Sequence, residues 1–233
     1  MEANKNFYKF PKTPHIEGSN VVDDDEIINV GSMKTLFKKG VKMVIQEKVD
    51  GANVSIHFLD EDNKYSPIVQ KRSGLVEQKG EHEQYEQFRK WVMANIDTLW
   101  DLLEDKYVLF GEWLYCQHSV PYDTLPDFFL AFDLLEKQSM SFKSFQFLSA
   151  KLESTSINMV PLLVSVEATE SFKFQDLIKQ SKFSSKEVAE GLYIRLEDAE
   201  NVLARFKLRR KTFEAGRKDF SRVILKNKKK DCK

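Results

Sequence analysis

The chain has 233 residues, 42% hydrophobic and 31% charged, with a formal net charge of zero, enough for one sizeable buried core. No apolar run approaches the ~20 residues of a membrane span, and the polar start, Met1 to Lys9, has no apolar signal core, so an intracellular protein is expected, cytoplasmic or nuclear. Cys116 and Cys232 lie far apart, and His15, His57, His82 and His118 show no ligand spacing, which argues against a disulfide framework or a zinc site.

The zero net charge hides an asymmetry. From Arg205 to Lys233, thirteen Lys or Arg side chains face only Glu214, Asp219 and Asp231, a local charge of +10, so the preceding 204 residues carry −10. Such polarity suits contact between the C-terminal end and a polyanion, while the acidic remainder favours solubility.

Residues 1–19 hold Phe7, Tyr8, Phe10, Pro11 and Pro14, an extended arm, because residues before proline avoid the helical region. Three consecutive aspartates follow, then Ile27 and Ile28, and Ser32 is expected to cap a short helix at 33–39 closed by Gly40. Alternating apolar runs predict strands at 41–45, 54–58 and 65–70. Tyr85, Phe88, Val92, Ile96, Leu99 and Leu103 recur at helical spacing and predict one helix over 81–103. Residues 107–115 and 128–135 read as buried strands, each broken by one acid, Glu112 and Asp133. A lone buried carboxylate is costly, so each needs a cation or a cleft. Short helices are expected at 141–153 and 174–180, with a strand at 160–164 between them and paired strands at 189–195 and 201–208. Many short strands with a few packed helices make an α+β domain.

The stretch Glu47-Lys48-Val49-Asp50-Gly51-Ala52-Asn53 joins the first two long strands. A lysine at a strand end beside the core can be desolvated, and nearby cations can push its pKa down until it attacks as a neutral amine. Gly51 lets a phosphate or backbone approach closely. Alone, the tetrapeptide also fits an exposed hairpin turn, so the remaining polar islands decide. In order they are Arg72, Phe110-Gly111-Glu112, Phe132-Asp133, Glu190-Gly191 and the basic run from Arg205 to Arg210.

This ordered set resembles the covalent nucleotidyltransferase superfamily of ATP-dependent DNA and RNA ligases and mRNA capping enzymes. Glu47-Lys48-x-x-Gly51-x-Asn53 and Ala131-Phe132-Asp133 look most like the bacteriophage-type RNA ligases that mend breaks in duplex RNA. The resemblance spans residues 41–213 and implies the adenylation-domain fold, antiparallel sheets with flanking helices. It places an N-terminal arm and short helix at 1–40, the nucleotidyltransferase domain at 41–213 and a basic segment at 214–233. It implies ATP and Mg²⁺ or Mn²⁺ as cofactors, with Lys48 attacking the α-phosphorus to leave a lysyl-AMP. Arg72 would hold the ribose or a nucleic-acid phosphate, Glu112 the ribose hydroxyl, Phe132 would stack on adenine and Glu47 would contact the base. Glu190, Asn53 and Asp133 would orient the metal, and Lys207 with Arg209 would grip the α-phosphate, Arg205 with Lys207 being the other register.

The implied partner is RNA with 5′-phosphate and 3′-hydroxyl ends, with an end-healing enzyme nearby and a monomeric chain. Twenty residues follow Phe213, so either the basic segment 217–230, read as a helix, stands in for the clamp domain of larger ligases, or the protein acts on a restricted substrate. Three other readings share these motifs: a minimal DNA ligase, a non-catalytic nucleic-acid-binding relative and a capping-type GTP transferase.

Overall fold

A computed structural model of the chain describes residues 6–21, 25–61, 64–77, 80–169, 171–214 and 225–230. In order come β1 (His15–Ile16), β2 (Ile27–Ile28), β3 (Lys42–Lys48), β4 (Ala52–Glu61), β5 (Lys64–Lys71), β6 (Gly74–Leu75), α1 (Glu83–Ala94) and α2 (Ile96–Leu103). There follow β7 (Tyr107–Trp113), β8 (Phe129–Glu136), β9 (Ser141–Phe142), α3 (Phe145–Leu152), β10 (Asn158–Met159), β11 (Leu162–Glu167), β12 (Gly191–Glu197) and β13 (Val202–Arg209).

The class is α+β, with two sheets. The first runs β11-β3-β12-β13-β1-β2 and the second β10-β8-β7-β4-β5-β6, with β9 added to β8. Alternation sorts the side chains by face. On the outer face of the first sheet Met43, Ile45, Leu192, Ile194, Phe206 and Leu208 form one core. Their neighbours Lys48, Gln46, Tyr193, Arg195, Lys207 and Arg209 turn the other way, toward the second sheet. That sheet backs Val54, Ile56, Phe58, Leu109 and Trp113 onto the helices and offers Phe110, Leu130 and Phe132 to the inter-sheet layer. β3 and β4 therefore belong to different sheets: residues 49–51 cross between them, which leaves Lys48 at the seam.

Arg195 pins the sheets together. It is fully buried, with Nη1 2.5 Å from Asp133 Oδ1 and Nε 3.0 Å from Glu197 Oε1. Nη1 also donates to Phe132 O and Nη2 to Gln46 Oε1. Tyr193 donates its hydroxyl to the other Asp133 oxygen at 2.6 Å.

Several expected elements differ. The single helix over 81–103 breaks at Asn95, whose amide side chain donates to Trp91 O, a local competitor for the helical ladder; the break turns Leu99, Leu102 and Leu103 onto the sheet. The helix at 33–39 is a 3-10 segment, Val30–Leu36, capped by Asn29 rather than Ser32. That at 174–180 is a 3-10 turn, Phe174–Leu177. Residues 141–153 split into β9 and α3, where Ser144 caps the helix. The strand at 160–164 becomes β10 and β11 around Pro161, which has no N–H for a ladder. In the basic segment, 225–230 is an extended strap whose Lys226 and Lys229 form bridges to Cys116 and Leu125, not a helix; residues 217–224 lie outside the described residues.

Gly191 pairs with Lys48 on one side and Arg209 on the other. A Cβ there would lie 1.9 Å from Leu208 O, a backbone atom held by its own ladder. Gly191→Ala is expected to lose about 1–3 kcal/mol or more, roughly 2–4 °C of melting temperature per kcal/mol at this length. An unchanged melting temperature would mean that β12 and β13 are not so closely apposed.

Candidate active site

Because residues opposite one another on paired strands share a face, Lys48, Gly191 and Arg209 form one row across β3, β12 and β13, and Gln46, Tyr193 and Lys207 form the next. Lys48 Nζ lies 2.7 Å from Glu190 Oε2, with side-chain exposures of 26% and 6%. Burial works against the ammonium, but Glu190, Glu112 and Asp50 more than offset it, so the Lys48 pKa is raised. This corrects the expectation of a lysine depressed by neighbouring cations. Its nearest charged partner is a carboxylate, and it rests as an ammonium.

Glu112 accepts from Gly51 N at 3.1 Å, and Asn53 stands opposite it in the β4–β7 pair. Burial first, then Glu190 and Asp50, push Glu112 up to about 7 against the pull of Lys48. Glu190 is likewise raised, chiefly by burial. Asp50 faces a loop: its Oδ2 accepts from Ser119 N at 2.6 Å and Val120 N at 3.1 Å.

A cation cluster faces these acids. Lys207 is lowered by burial first, and by Lys48, Arg209 and Arg72 against the opposing effect of Asp25. Arg72 stands exposed in the turn between β5 and β6. Arg209 Nε is 4.0 Å from Glu190 Oε1. The alternative cation, Arg205, lies over the Phe142 ring at 3.7 Å and two rows from Lys48. Asp25 ties the cluster down, 3.8 Å from Lys207 Nζ, 3.3 Å from Arg209 Nη2 and 3.1 Å from His15 Nε2. His15 is lowered to about 4, first by burial and then by Lys207, so it is neutral near pH 7.

The other expected residues take different places. Phe132 makes T-shaped contacts with Phe10 at 5.4 Å and with Tyr193 at 5.7 Å. Glu47 points to the opposite face from Lys48, where Ser181 Oγ and Lys182 N donate to its two oxygens at 2.5 and 2.9 Å. Asp133 is corrected as a metal ligand: Arg195 and Tyr193 occupy both its oxygens inside the core. Glu112 and Glu190, two buried acids that share the Lys48 ammonium, with Glu190 raising the Glu112 pKa, are instead the carboxylates that would hold a divalent ion. Among the described residues no three His, Cys, Asp or Glu close a cage, so such an ion would complete its shell with water and phosphate oxygens, as Mg²⁺ does.

Asp25, Gln46, Arg195 and Tyr122 escaped the sequence reading. Arg195 had a signal: it is a lone charge in an apolar strand, as Glu112 and Asp133 are, and lone buried charges of opposite sign pair. Asp25 lay in an acidic run with no spacing to single it out.

The raised Glu112 makes stability depend on pH. Between the ordinary 4.5 and about 7 the folded chain keeps a proton that the unfolded chain releases, so this contribution is present below the lower value and lost as pH rises through the upper. Glu112→Gln is expected to flatten that part of the fall in melting temperature between pH 5 and 8. An identical pH profile in the variant would contradict the assignment.

A model of the RNA ligase family matches residues 41–209. Among solved structures, a lysine-to-alanine variant of Naegleria gruberi RNA ligase with ATP and manganese superposes with a TM-score of 0.59 at 18% identity, over 85% of this chain and 60% of that one. The Naegleria gruberi enzyme with pyrophosphate gives 0.56 at 19%, over 85% and 59%. A lysine-to-methionine variant with AMP and manganese gives 0.55 at 17%, over 87% and 62%. This chain thus spans about three fifths of the length of those structures, and at such identity they show a shared fold. A search of curated proteins finds no significant match.

Proposed function

The chain belongs to the RNA ligase family, and on that premise we propose that it is an ATP-dependent RNA ligase working through a lysyl-AMP. The observation that carries this is the row at the seam of the sheets: Lys48 held 2.7 Å from Glu190, with Lys207 and Arg209 on the same face. Lys207 feels the positive charge of Lys48, Arg209 and Arg72, and such a cluster suits a polyphosphate, which would relieve that repulsion.

In the first step the Lys48 nitrogen forms a bond to the α-phosphorus while the bond to pyrophosphate breaks. Its lone pair must be freed first, and Glu190 Oε2 is placed to take the proton. Lys207 and Arg209 balance charge as pyrophosphate leaves. A divalent cation held by Glu190, Glu112 and Asn53 would offset the carboxylate charge that holds Lys48 protonated and the charge of the phosphates. The AMP then passes to a 5′-phosphate with breakage of the phosphorus–nitrogen bond, and a 3′-hydroxyl displaces it to seal the strand. Lys48 is restored.

The test uses nicked duplexes with ribose or deoxyribose on each side of the break, since 2′-hydroxyl contacts distinguish RNA from DNA. Faster sealing of the ribose ends by about tenfold or more is expected, with affinity falling steeply as salt rises because phosphate contacts dominate. Preference for the deoxyribose ends would make this a minimal DNA ligase. Binding without sealing would make it a nucleic-acid-binding relative.

A further inference from the structure

The loop between β7 and β8 is built around a piece of chain from far away. Residues 225–230 lie between its two limbs: Gln117 N donates to Leu225 O, Asn227 N to Tyr115 O, Lys228 N to Tyr122 O, Leu125 N to Lys228 O and Lys230 N to Leu125 O. At the centre sits Asn227, 5% exposed. Its amide nitrogen donates to Leu114 O at 2.8 Å and Cys116 O at 3.2 Å on one limb, and its oxygen accepts from Tyr122 N at 2.9 Å on the other. Two of the strap's four lysines pair with the body of the protein, Lys226 with Glu83 at 2.9 Å and Lys229 with Asp127 at 3.3 Å.

The far end of this loop holds the nucleophile's turn. Tyr122, 2% exposed, accepts from Asp50 N at 2.7 Å through its hydroxyl. Ser119 N and Val120 N donate to the Asp50 carboxylate. Asp50 is two residues from Lys48, in the segment that crosses between the sheets. Three consecutive links therefore join the strap to the seam: Asn227 to Tyr122, Tyr122 to Asp50, and Asp50 to the turn that sets Lys48 against Glu190.

We infer that Asn227 is a positioning residue for adenylation, and that the C-terminal strap serves the first chemical step by fixing the loop that aims the Lys48 turn. This rests on the ligase reading above. A strap serving as the nucleic-acid clamp would leave adenylation alone and act on RNA binding.

Two readouts separate this inference from that reading. The first needs no nucleotide: Asn227→Ala is expected to speed amide hydrogen exchange at Asp50, Ser119 and Val120 by at least tenfold, with Ile194 and Phe206 in the central strands within twofold of wild type. Unchanged exchange at those three amides would overturn the proposal whatever the enzyme does. The second is the single-turnover rate of AMP transfer to the protein, normalised to the titrated active fraction. A tenfold fall at saturating ATP, with half-saturation within twofold, is expected. Tyr122→Phe removes the hydroxyl while leaving the strap seated; it should slow the step similarly, and the double variant should be no slower than the slower single one, because both act through one path. Wild-type AMP transfer with only RNA binding weakened would overturn the proposal in favour of the clamp.

Discussion

Lys48→Ala is expected to lower sealing of a nicked RNA duplex with ATP by at least roughly three orders of magnitude, the scale of losing the nucleophile in a covalent mechanism, yet to spare much of the sealing of a nick already carrying AMP on its 5′-phosphate. Forming the protein–AMP bond needs the lysine nitrogen; the final attack by the 3′-hydroxyl does not. Lys48→Arg separates nucleophile from charge. It keeps a cation beside Glu190, but a guanidinium does not deprotonate in proteins, so it should fail on ATP as fully as alanine. If Lys48→Arg retained the ATP-dependent reaction, Lys48 would serve as a counter-ion and another group would carry the AMP.

The second large effect falls on the fold. Arg195→Met is expected to cost about 3–5 kcal/mol, because removing one partner of a buried pair leaves the other charge uncompensated. Asp133 and Glu197 would both lose their cation, and Phe132 O and Gln46 a donor. Against the roughly 5–15 kcal/mol that hold a typical domain together, this is a large share. Denaturant unfolding of the variant measures it. Combining Arg195→Met with Asp133→Leu should recover part of the loss, since the stranded charge is the main cost. A single variant within about 1 kcal/mol of wild type would mean that water reaches this site and screens the stranded charges.

The strands that carry the seam residues were legible where chemistry is local. Apolar patterning marked strands at 41–45, 189–195 and 201–208, and the acids interrupting apolar strands pointed to Glu112. What stayed hidden depends on partners far apart in sequence. Nothing near Asp133 says that Arg195, sixty-two positions on, consumes it, so a buried structural ion pair read as a metal ligand. Glu47 adjoins Lys48 yet faces the other way, as neighbours on a strand must. Asn95 sits within an otherwise unbroken helical pattern, and its break follows from a side-chain hydrogen bond that periodicity does not register. Asn227 lies in a run of lysines where only the charge is conspicuous, while its burial arises from the loop it joins.

The most direct test of the central claim is to incubate the protein with α-labelled ATP and Mg²⁺, in parallel with α-labelled GTP, and to map any label by peptide mass after denaturation. The expected result is AMP from ATP alone, bound to the Lys48 peptide through an acid-labile phosphorus–nitrogen bond. Label on another residue, label from GTP in preference to ATP, or no label on the wild-type chain would contradict a lysyl-AMP ligase.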